Sequence, residues 1–272
     1  MQKFSIAPSE MLASFLRHWD LIKTLTIREI LGRYRGSMLG LFWSFANPLF
    51  MLVVYTFVFS TVFKARWSGG SESKTEFALV LFVGLIVFNL FSECISRAPS
   101  LIISNVNYVK KVIFPLEVLP FVSLLSAVFH CAVSLVVWLL AYMILFGIPH
   151  VTAFYLPLIL FPFLLFIMGL SWGLASIGAY LRDVSQFIGV FITILMFLSP
   201  VFYPATALPG IYQELLYLNP LVPAIEQARE VLYFGVPPNF YIVAIYWLVA
   251  LIVAWIGFAW FQKTRDGFAD VL

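Results

Sequence analysis

The sequence predicts an all-α membrane protein with six transmembrane helices, an N-terminal amphipathic interface helix and short re-entrant helices before the last span. Of its 272 residues, 62% are hydrophobic and only 11% are charged, whereas roughly 25% of the residues in soluble domains are charged. Apolar stretches near the length of about 20 residues that a helix needs to cross a bilayer recur along the chain. Residues 203–238, by contrast, hold six prolines between apolar runs that are too short to cross.

Six apolar stretches mark the predicted spans. A charged N-terminus, residues 1–37, precedes them, and a short tail, residues 262–272, follows, so that residues 38–261 form one transmembrane domain. The long charge-free region after Glu117 divides into two spans at the turn signal Gly147-Ile148-Pro149-His150. The predicted spans cover about residues 38–63, 77–96, 118–146, 154–181, 184–202 and 240–261.

The distribution of lysine and arginine predicts the orientation of the spans. Six spans place both termini on one side of the membrane, and the segments on that side carry twelve of the sixteen basic residues. Because short basic loops stay in the cytoplasm, we expect both termini to be cytoplasmic. The opposite side carries only Lys64, Arg66, Lys74 and Arg229.

Residues 11–31 predict an amphipathic helix that lies on the cytoplasmic surface of the membrane. Apolar residues follow one helical stripe, with Arg17, Thr24 and Arg28 opposite, although Lys23 intrudes on the stripe. Such a helix places basic side chains near anionic lipid headgroups. The alternative is an ordinary soluble N-terminal helix. The stripe consists of Leu12, Phe15, Leu16, Trp19, Ile22 and Ile30.

Two connections between spans carry further information. Residues 97–115 mix apolar residues with two asparagines and two lysines, which fits either a short helix that docks on a partner protein or a plain basic loop. On the opposite side, residues 203–238 predict half-length or re-entrant helices. Irregular backbone at membrane depth is tolerated only where protein buries it or water reaches it. We therefore expect this second segment to form the mouth of a pathway.

The sequence offers no catalytic or energy-coupling chemistry of its own. It lacks the G-x-x-x-x-G-K-[ST] phosphate loop, and its aspartates and its three histidines are scattered, which speaks against a metal site. His130 is the one histidine within the predicted spans 118–146 and 154–181, which contain no Asp, Glu, Lys or Arg, and it is either a functional group or a hydrogen-bonded packing residue. We therefore expect no enzymatic activity and no metal or cofactor bound by this chain. Energy must come from a partner.

Aromatic residues make up 18% of the chain. They recur at every fourth position in the first span and form a second group in the fifth. Aromatic faces stack on the C–H faces of sugar rings, so one interpretation is an aromatic-lined conduit for a glycan, and the other is helix packing or lipid contact. The candidate conduit residues are Tyr55, Phe59, Phe63, Phe191, Phe197 and Phe202.

Residues 28–67, REILGRYRGSMLGLFWSFANPLFMLVVYTFVFSTVFKARW, closely resemble the start of the ABC-type 2 exporter permeases that move lipid-linked polysaccharides, in particular the Wzm-like O-antigen permeases. Capsule and teichoic acid export permeases are related to these. Further similar segments follow in order along almost the whole chain: NVNYVKKVIFPLEVLP (105–120), LRDVSQ (181–186), LSPVFYP (198–204), LNPLVPAIEQAR (218–229) and the ending WFQKTRDGFADVL.

The resemblance implies a homodimeric permease in a bacterial inner membrane, paired with two copies of a separate Wzt-like ABC ATPase that uses ATP and Mg. It also implies that the connection after the second span docks in a cleft of the ATPase, and that residues 205–234 form an outer gate. The implied docking residues lie between 100 and 108. They are Ser100, Asn105, Asn107 and Tyr108.

The basic segment before the first span is expected at the cytoplasmic headgroup level, where it would anchor the topology or meet the pyrophosphate of a lipid-linked sugar. Gly32, Gly36 and Gly40 predict a turn into the first span with close backbone packing, and Pro48 predicts a bend in that span. The candidate entrance residues are Arg33, Tyr34 and Arg35.

The expected function is that of the permease subunit of an ATP-driven exporter. Its substrate would be undecaprenyl-diphosphate-linked O-antigen polysaccharide, moved from cytoplasm to periplasm. One alternative is an exporter of the same family for capsular polysaccharide, teichoic acid or a small hydrophobic compound. Another is a membrane-bound transferase, against which the lack of clustered Asp, Glu or His speaks. Membrane lipids are expected to contact the chain, and no nucleic acid is.

Overall fold

The computed structural model describes residues 5–58, 74–110 and 114–271, and every regular element within them is helical. The predicted all-α membrane fold is therefore confirmed. The α-helices of the described residues are α1 Pro8–Arg17, α2 Trp19–Arg33, α3 Trp43–Phe57, α4 Lys74–Arg97, α5 Val106–Val109, α6 Val118–Phe146, α7 Leu156–Tyr180, α8 Val184–Leu198, α9 Gly210–Leu216, α10 Leu221–Arg229, α11 Phe240–Thr264 and α12 Phe268–Val271.

Five helical segments in the described part of the chain are long and apolar enough to cross a membrane. The predicted span 184–202 corresponds to α8, which has 15 residues and is shorter than the roughly 20 that a bilayer requires. Helix α8 ends because Ser199 precedes Pro200 and adopts the extended backbone that this position favours. The count of six spans therefore remains a prediction. The five segments are Gly40–Phe57, Thr75–Ser100, Val118–Phe146, Val151–Tyr180 and Phe240–Val271.

Helix α4 forms the centre of the bundle. Helices α3, α6, α7, α8 and α10 all pack against it. Its residues from Glu76 to Phe91 are buried, with Asn89 as the single exception. A helix that is apolar all round is expected in such a central position. Of these five neighbours, α10 has no exposed residue, whereas α3, α6, α7 and α8 each carry exposed side chains.

Glycines bring α7 and α11 into direct backbone contact. A Cβ atom on Gly257 would overlap the carbonyl oxygen of Gly169, and one on Gly169 would overlap the carbonyl oxygen of Val253. Likewise, a Cβ atom on Gly178 would overlap the carbonyl oxygen of Pro99, in the turn that follows α4. Small residues at these positions allow the helix axes to approach more closely than side chains would permit.

The N-terminal segment differs from the single amphipathic helix predicted over residues 11–31. His18 leaves the helical conformation, with φ −107° and ψ 19°, and divides the segment into α1 and α2. Helix α1 is amphipathic, but the apolar residues of α2 are spread around its whole circumference. Ile22 and Leu25 of α2 are buried against Val118 of α6. Helix α2 thus packs along a membrane-spanning helix.

The glycines between α2 and α3 turn the chain. Gly36 (φ +85°) and Gly40 (φ +51°) adopt backbone conformations that glycine tolerates best. The predicted turn is therefore confirmed. The described residues do not show the predicted close packing, because a Cβ placed on Gly32, Gly36 or Gly40 would lie more than 4 Å from every described atom outside its own stretch of chain.

Both ends of the described chain lie at the same end of the bundle, here called the terminal end. Ser14 of α1 donates a hydrogen bond of 3.1 Å to Glu117, just before α6, and Arg265 after α11 pairs with the same carboxylate at 2.7 Å. At the opposite end, here called the far end, the Thr152 hydroxyl donates to the carbonyl oxygen of Val231 at 2.7 Å. These contacts place Val231, which follows α10, away from the termini.

Candidate functional site

An open cavity of about 440 Å³ lies among α3, α4 and α6, with the end of α2 at its mouth. Its volume falls within the range of roughly 300–1,000 Å³ that is typical of small-molecule sites. Apolar side chains and several polar groups share its lining. Its polar lining includes Arg33, Tyr34, Asn47, Asn89, Glu93 and His130.

Glu93 and His130 form one polar wall of this cavity. The Glu93 carboxylate accepts a hydrogen bond from Arg33, and its two oxygens lie 3.1 and 3.2 Å from His130 Nδ1. The Tyr34 hydroxyl lies 3.2 Å from His130 Nε2. With its proton on Nδ1, the imidazole donates to Glu93 and accepts from Tyr34, and the 3.1 Å contact between Arg33 Nη1 and Nδ1 is then not a hydrogen bond. His130 therefore links α2, α4 and α6, as expected for a hydrogen-bonded packing residue.

The charges around this wall are balanced. Arg33 pairs with Glu93, and Arg97 pairs with Glu29 and lies 3.9 Å from Glu93. Burial raises the pKa of Tyr34, so its hydroxyl stays protonated and can donate. Because two cations face two carboxylates, the wall has little net attraction for an anion.

Two asparagine side chains enter the cavity from membrane-spanning helices. Asn47 on α3 and Asn89 on α4 are both exposed to it, and neither makes a hydrogen bond with another described residue. A polar group without a partner at membrane depth costs several kcal/mol. Water or a polar ligand must therefore satisfy these amides.

The predicted conduit residues lie on two different surfaces. Tyr55 lines the cavity, whereas Phe191 and Phe197 are exposed on α8, outside the cavity lining. Phe202 is half-buried, and its ring centroid is 5.9 Å from that of Phe197. The other two predicted conduit residues, Phe59 and Phe63, lie outside the described residues.

The three predicted entrance residues do not all line the cavity. Arg33 and Tyr34 belong to the cavity wall, where their polar groups contact Glu93 and His130. Arg35 is exposed outside the cavity lining and forms no ion pair within the described part of the chain.

The predicted docking segment consists of short helical turns whose polar residues face in two directions. Ser100 and Asn107 are exposed. Asn105 turns inward and donates to the Leu101 carbonyl oxygen at 2.8 Å. The Tyr108 hydroxyl accepts a hydrogen bond of 2.6 Å from Arg28 of α2. This contact joins α5 to the helix that ends at the cavity mouth.

Arg229 is buried in the structure, whereas the sequence predicts a position in an outer loop. Its side chain is 1% exposed and donates to the carbonyl oxygens of Val80, Pro200 and Val201 and to the Glu226 carboxylate. Burial lowers the pKa of Arg229 to about 10, so the guanidinium stays charged at neutral pH. It fastens α10 to α4 and to the end of α8.

Sequence reasoning did not single out Asn47, Asn89 or Glu93 as site residues. Each is a polar or charged group in an otherwise apolar stretch, which is the signal that could have identified it. Nothing in their spacing along the chain indicates that they share a cavity.

The sequence of this chain is similar to those of known membrane transport proteins. Residues 20–233 match the family described as ABC-2 type transporter. The chain is 25% identical to the O-antigen export system permease protein RfbA of Klebsiella pneumoniae over 258 residues, 93% of this chain and 95% of that protein. It is 28% identical to RfbA of Myxococcus xanthus over 254 residues, 92% and 94% of the two chains. It is also 26% identical to the polysialic acid transport protein KpsM of Escherichia coli over 214 residues, 77% and 80% of the two chains.

The family match covers most of the chain, including all three walls of the cavity. The apolar helices agree with a multi-pass membrane protein. The protein therefore belongs to the ABC-2 type transporter family, whose members are transporter subunits that work with a partner ATPase and are not themselves enzymes.

Proposed function

We propose that this chain is the permease subunit of an ABC exporter that moves undecaprenyl-diphosphate-linked O-antigen polysaccharide from the cytoplasm to the periplasm. The observation that carries the proposal is its likeness, over more than nine-tenths of its length, to O-antigen export permeases of two bacteria. A polar cavity among apolar helices agrees with a substrate rich in hydroxyl groups.

In this proposal the terminal end of the bundle faces the cytoplasm of a bacterium and the membrane is the inner one. Two permease copies work with two copies of a Wzt-like ATPase, which binds the ATP and Mg. The basic residues concentrated on the terminal side support this orientation. Arg35 is the better candidate for contact with the lipid pyrophosphate, because the charge of Arg33 is already balanced by Glu93.

The exposed aromatic side chains of α3 and α8 support the proposed homodimer. Phe50 and Phe57 on α3 are 59% and 60% exposed, and Phe187 and Phe197 on α8 are 66% and 61% exposed. A second copy seated against these faces would enclose a conduit between the two subunits. Lipid would cover whatever part of them the second copy leaves free.

Deletion of the gene in its host tests the proposal. We expect long surface O-antigen to disappear and finished lipid-linked polymer to accumulate inside the cell, because synthesis continues while export stops. Gels of surface and internal polysaccharide measure both, and expression of the intact chain should restore export. Normal surface polysaccharide of every kind would refute the proposed function.

The similarity to KpsM supports capsular polysaccharide as a second candidate substrate. The same deletion distinguishes the two. Loss of a capsular polymer with unchanged O-antigen would retain the exporter function and replace its substrate.

The exposed side of the docking segment provides a test of the ATPase contact. We expect Ser104→Arg combined with Asn107→Arg to reduce co-purification of the ATPase at least about tenfold, because two large cations would enter the interface and roughly 1.4 kcal/mol corresponds to a factor of ten. Both positions are exposed, so the permease itself should fold. Thr206→Arg, on an exposed turn at the far end, is the matched control and should leave co-purification unchanged. Equal recovery of the ATPase with both variants would contradict the docking assignment.

A further inference from the structure

We propose that the cavity among α3, α4 and α6 is a binding site for one neutral sugar unit of the exported polymer, located within a single subunit. The site would hold the sugar by the amides of Asn47 and Asn89 and by the ring of Tyr55. The inference rests on the proposed function, because it specifies which part of that substrate the cavity receives.

The two unpartnered amides are the first argument. Asn89 is the single exposed residue between Glu76 and Phe91, and it lines the cavity together with Asn47. Each amide supplies two N–H donors and one carbonyl acceptor, and a sugar hydroxyl both donates and accepts. A sugar ring can therefore satisfy both amides at once. A hydrocarbon chain forms no hydrogen bonds and would leave both amides to water, so a sugar is the better match for them.

The charge balance is the second argument. A diphosphate in this cavity would lie beside the Glu93 carboxylate, and Arg33 already pairs with that carboxylate. A phosphate and a carboxylate in the same cavity repel each other, and the repulsion grows as the local dielectric constant falls. A neutral hydroxyl can instead donate to a carboxylate oxygen without a change in net charge. The site is therefore expected to select the sugar and reject the anionic headgroup.

The shape of the cavity is the third argument. Tyr55 and Phe82 place aromatic rings in the lining, and such rings can pack against the C–H face of a pyranose. The walls come from α3, α4 and α6 and from the end of α2.

Binding to the purified full-length chain in lipid nanodiscs tests the proposal. The probes are oligosaccharides of two to four sugars, released by acid from the polymer that deletion cells fail to display, and saturation-transfer NMR detects them. We expect binding to weaken about fivefold with Asn47→Leu and about fivefold with Asn89→Leu, the effect of one lost hydrogen bond of about 1 kcal/mol. Asn89→Gln keeps an amide and should retain most of the binding.

Two further measurements sharpen the test. Inorganic pyrophosphate at equal concentration should not displace the sugars. Met51→Trp fills the cavity from α3, leaves both amides in place and should abolish binding. It tests the site independently of whether the leucine variants fold. The proposal is overturned if the wild-type chain binds no fragment, if pyrophosphate competes, or if the leucine and tryptophan variants bind like wild type.

The proposed function fails separately. If deletion cells lose no surface polymer, the exporter assignment is wrong. If they lose a polymer whose fragments the wild-type chain does not bind, or whose binding ignores these substitutions, the exporter assignment survives and the sugar site alone is refuted.

Discussion

Arg229→Leu is expected to destabilise the folded chain by roughly 3 kcal/mol. Removing one partner of a buried ion pair costs about 3–5 kcal/mol, because the other groups are left buried without a partner. Here the carbonyl oxygens of Val80, Pro200 and Val201 would each lose a charged donor. The lower part of the range applies, since the Glu226 side chain is 27% exposed and water can reach it.

Thermal unfolding of the detergent-purified protein, followed by size-exclusion chromatography, measures this effect. Arg182→Leu removes an exposed arginine and should leave the unfolding temperature nearly unchanged. Arg229→Lys should lie between the two, because an ammonium keeps the charge but cannot reach four acceptors in a plane. An Arg229→Leu protein as stable as the Arg182→Leu protein would show that the buried hydrogen bonds do not hold α10 in place.

Gly257→Ala is the second substitution with a large expected effect. The new Cβ atom would overlap the carbonyl oxygen of Gly169, and backbone atoms cannot move aside as a flexible side chain can. Helices α7 and α11 would have to separate. Overpacking of this kind typically costs about 1–3 kcal/mol, and we expect the upper part of that range.

Gly173→Ala is the matched control for this substitution. Gly173 lies on α7 like Gly169, but a Cβ atom placed on it meets nothing within 4 Å. Because alanine is the better helix former, this variant should be as stable as wild type or more stable, by up to about 1 kcal/mol. If both alanine variants unfold at the wild-type temperature, the glycine contact between the two helices is not what holds them together.

The helices of this chain could be predicted well wherever an apolar run is long and uninterrupted. The predicted span 118–146 has the bounds of α6, because charge ends it on one side and a glycine on the other. The sequence was less informative where local conformation decides. The break at His18 has no proline or glycine to announce it, and α8 ends at Leu198, four residues before the end of the predicted span 184–202.

The candidate site was only partly predictable. The basic residues before the first span were expected near the membrane surface, but their partners were not. Arg33 meets Glu93 and His130, which are 60 and 97 positions away in the chain. Contacts of this kind depend on how three helices pack, and no spacing rule along the sequence encodes them. Asn89 was overlooked for the same reason, since only the fold turns it toward a cavity.

The contact between the backbones of α7 and α11 also determines which parts of the molecule can act as moving parts. Two helices whose backbones are in contact at Gly169 and Gly257 resist both sliding and separation, so they form a rigid unit within the subunit. Motion started by the ATPase must then be taken up elsewhere. The moving element is expected to be α2 with the turn at Gly36 and Gly40, because Arg28 of α2 donates a hydrogen bond to Tyr108 in the predicted docking segment. A displacement of that segment would thus be transmitted by α2 to the cavity, while α7 and α11 keep their positions.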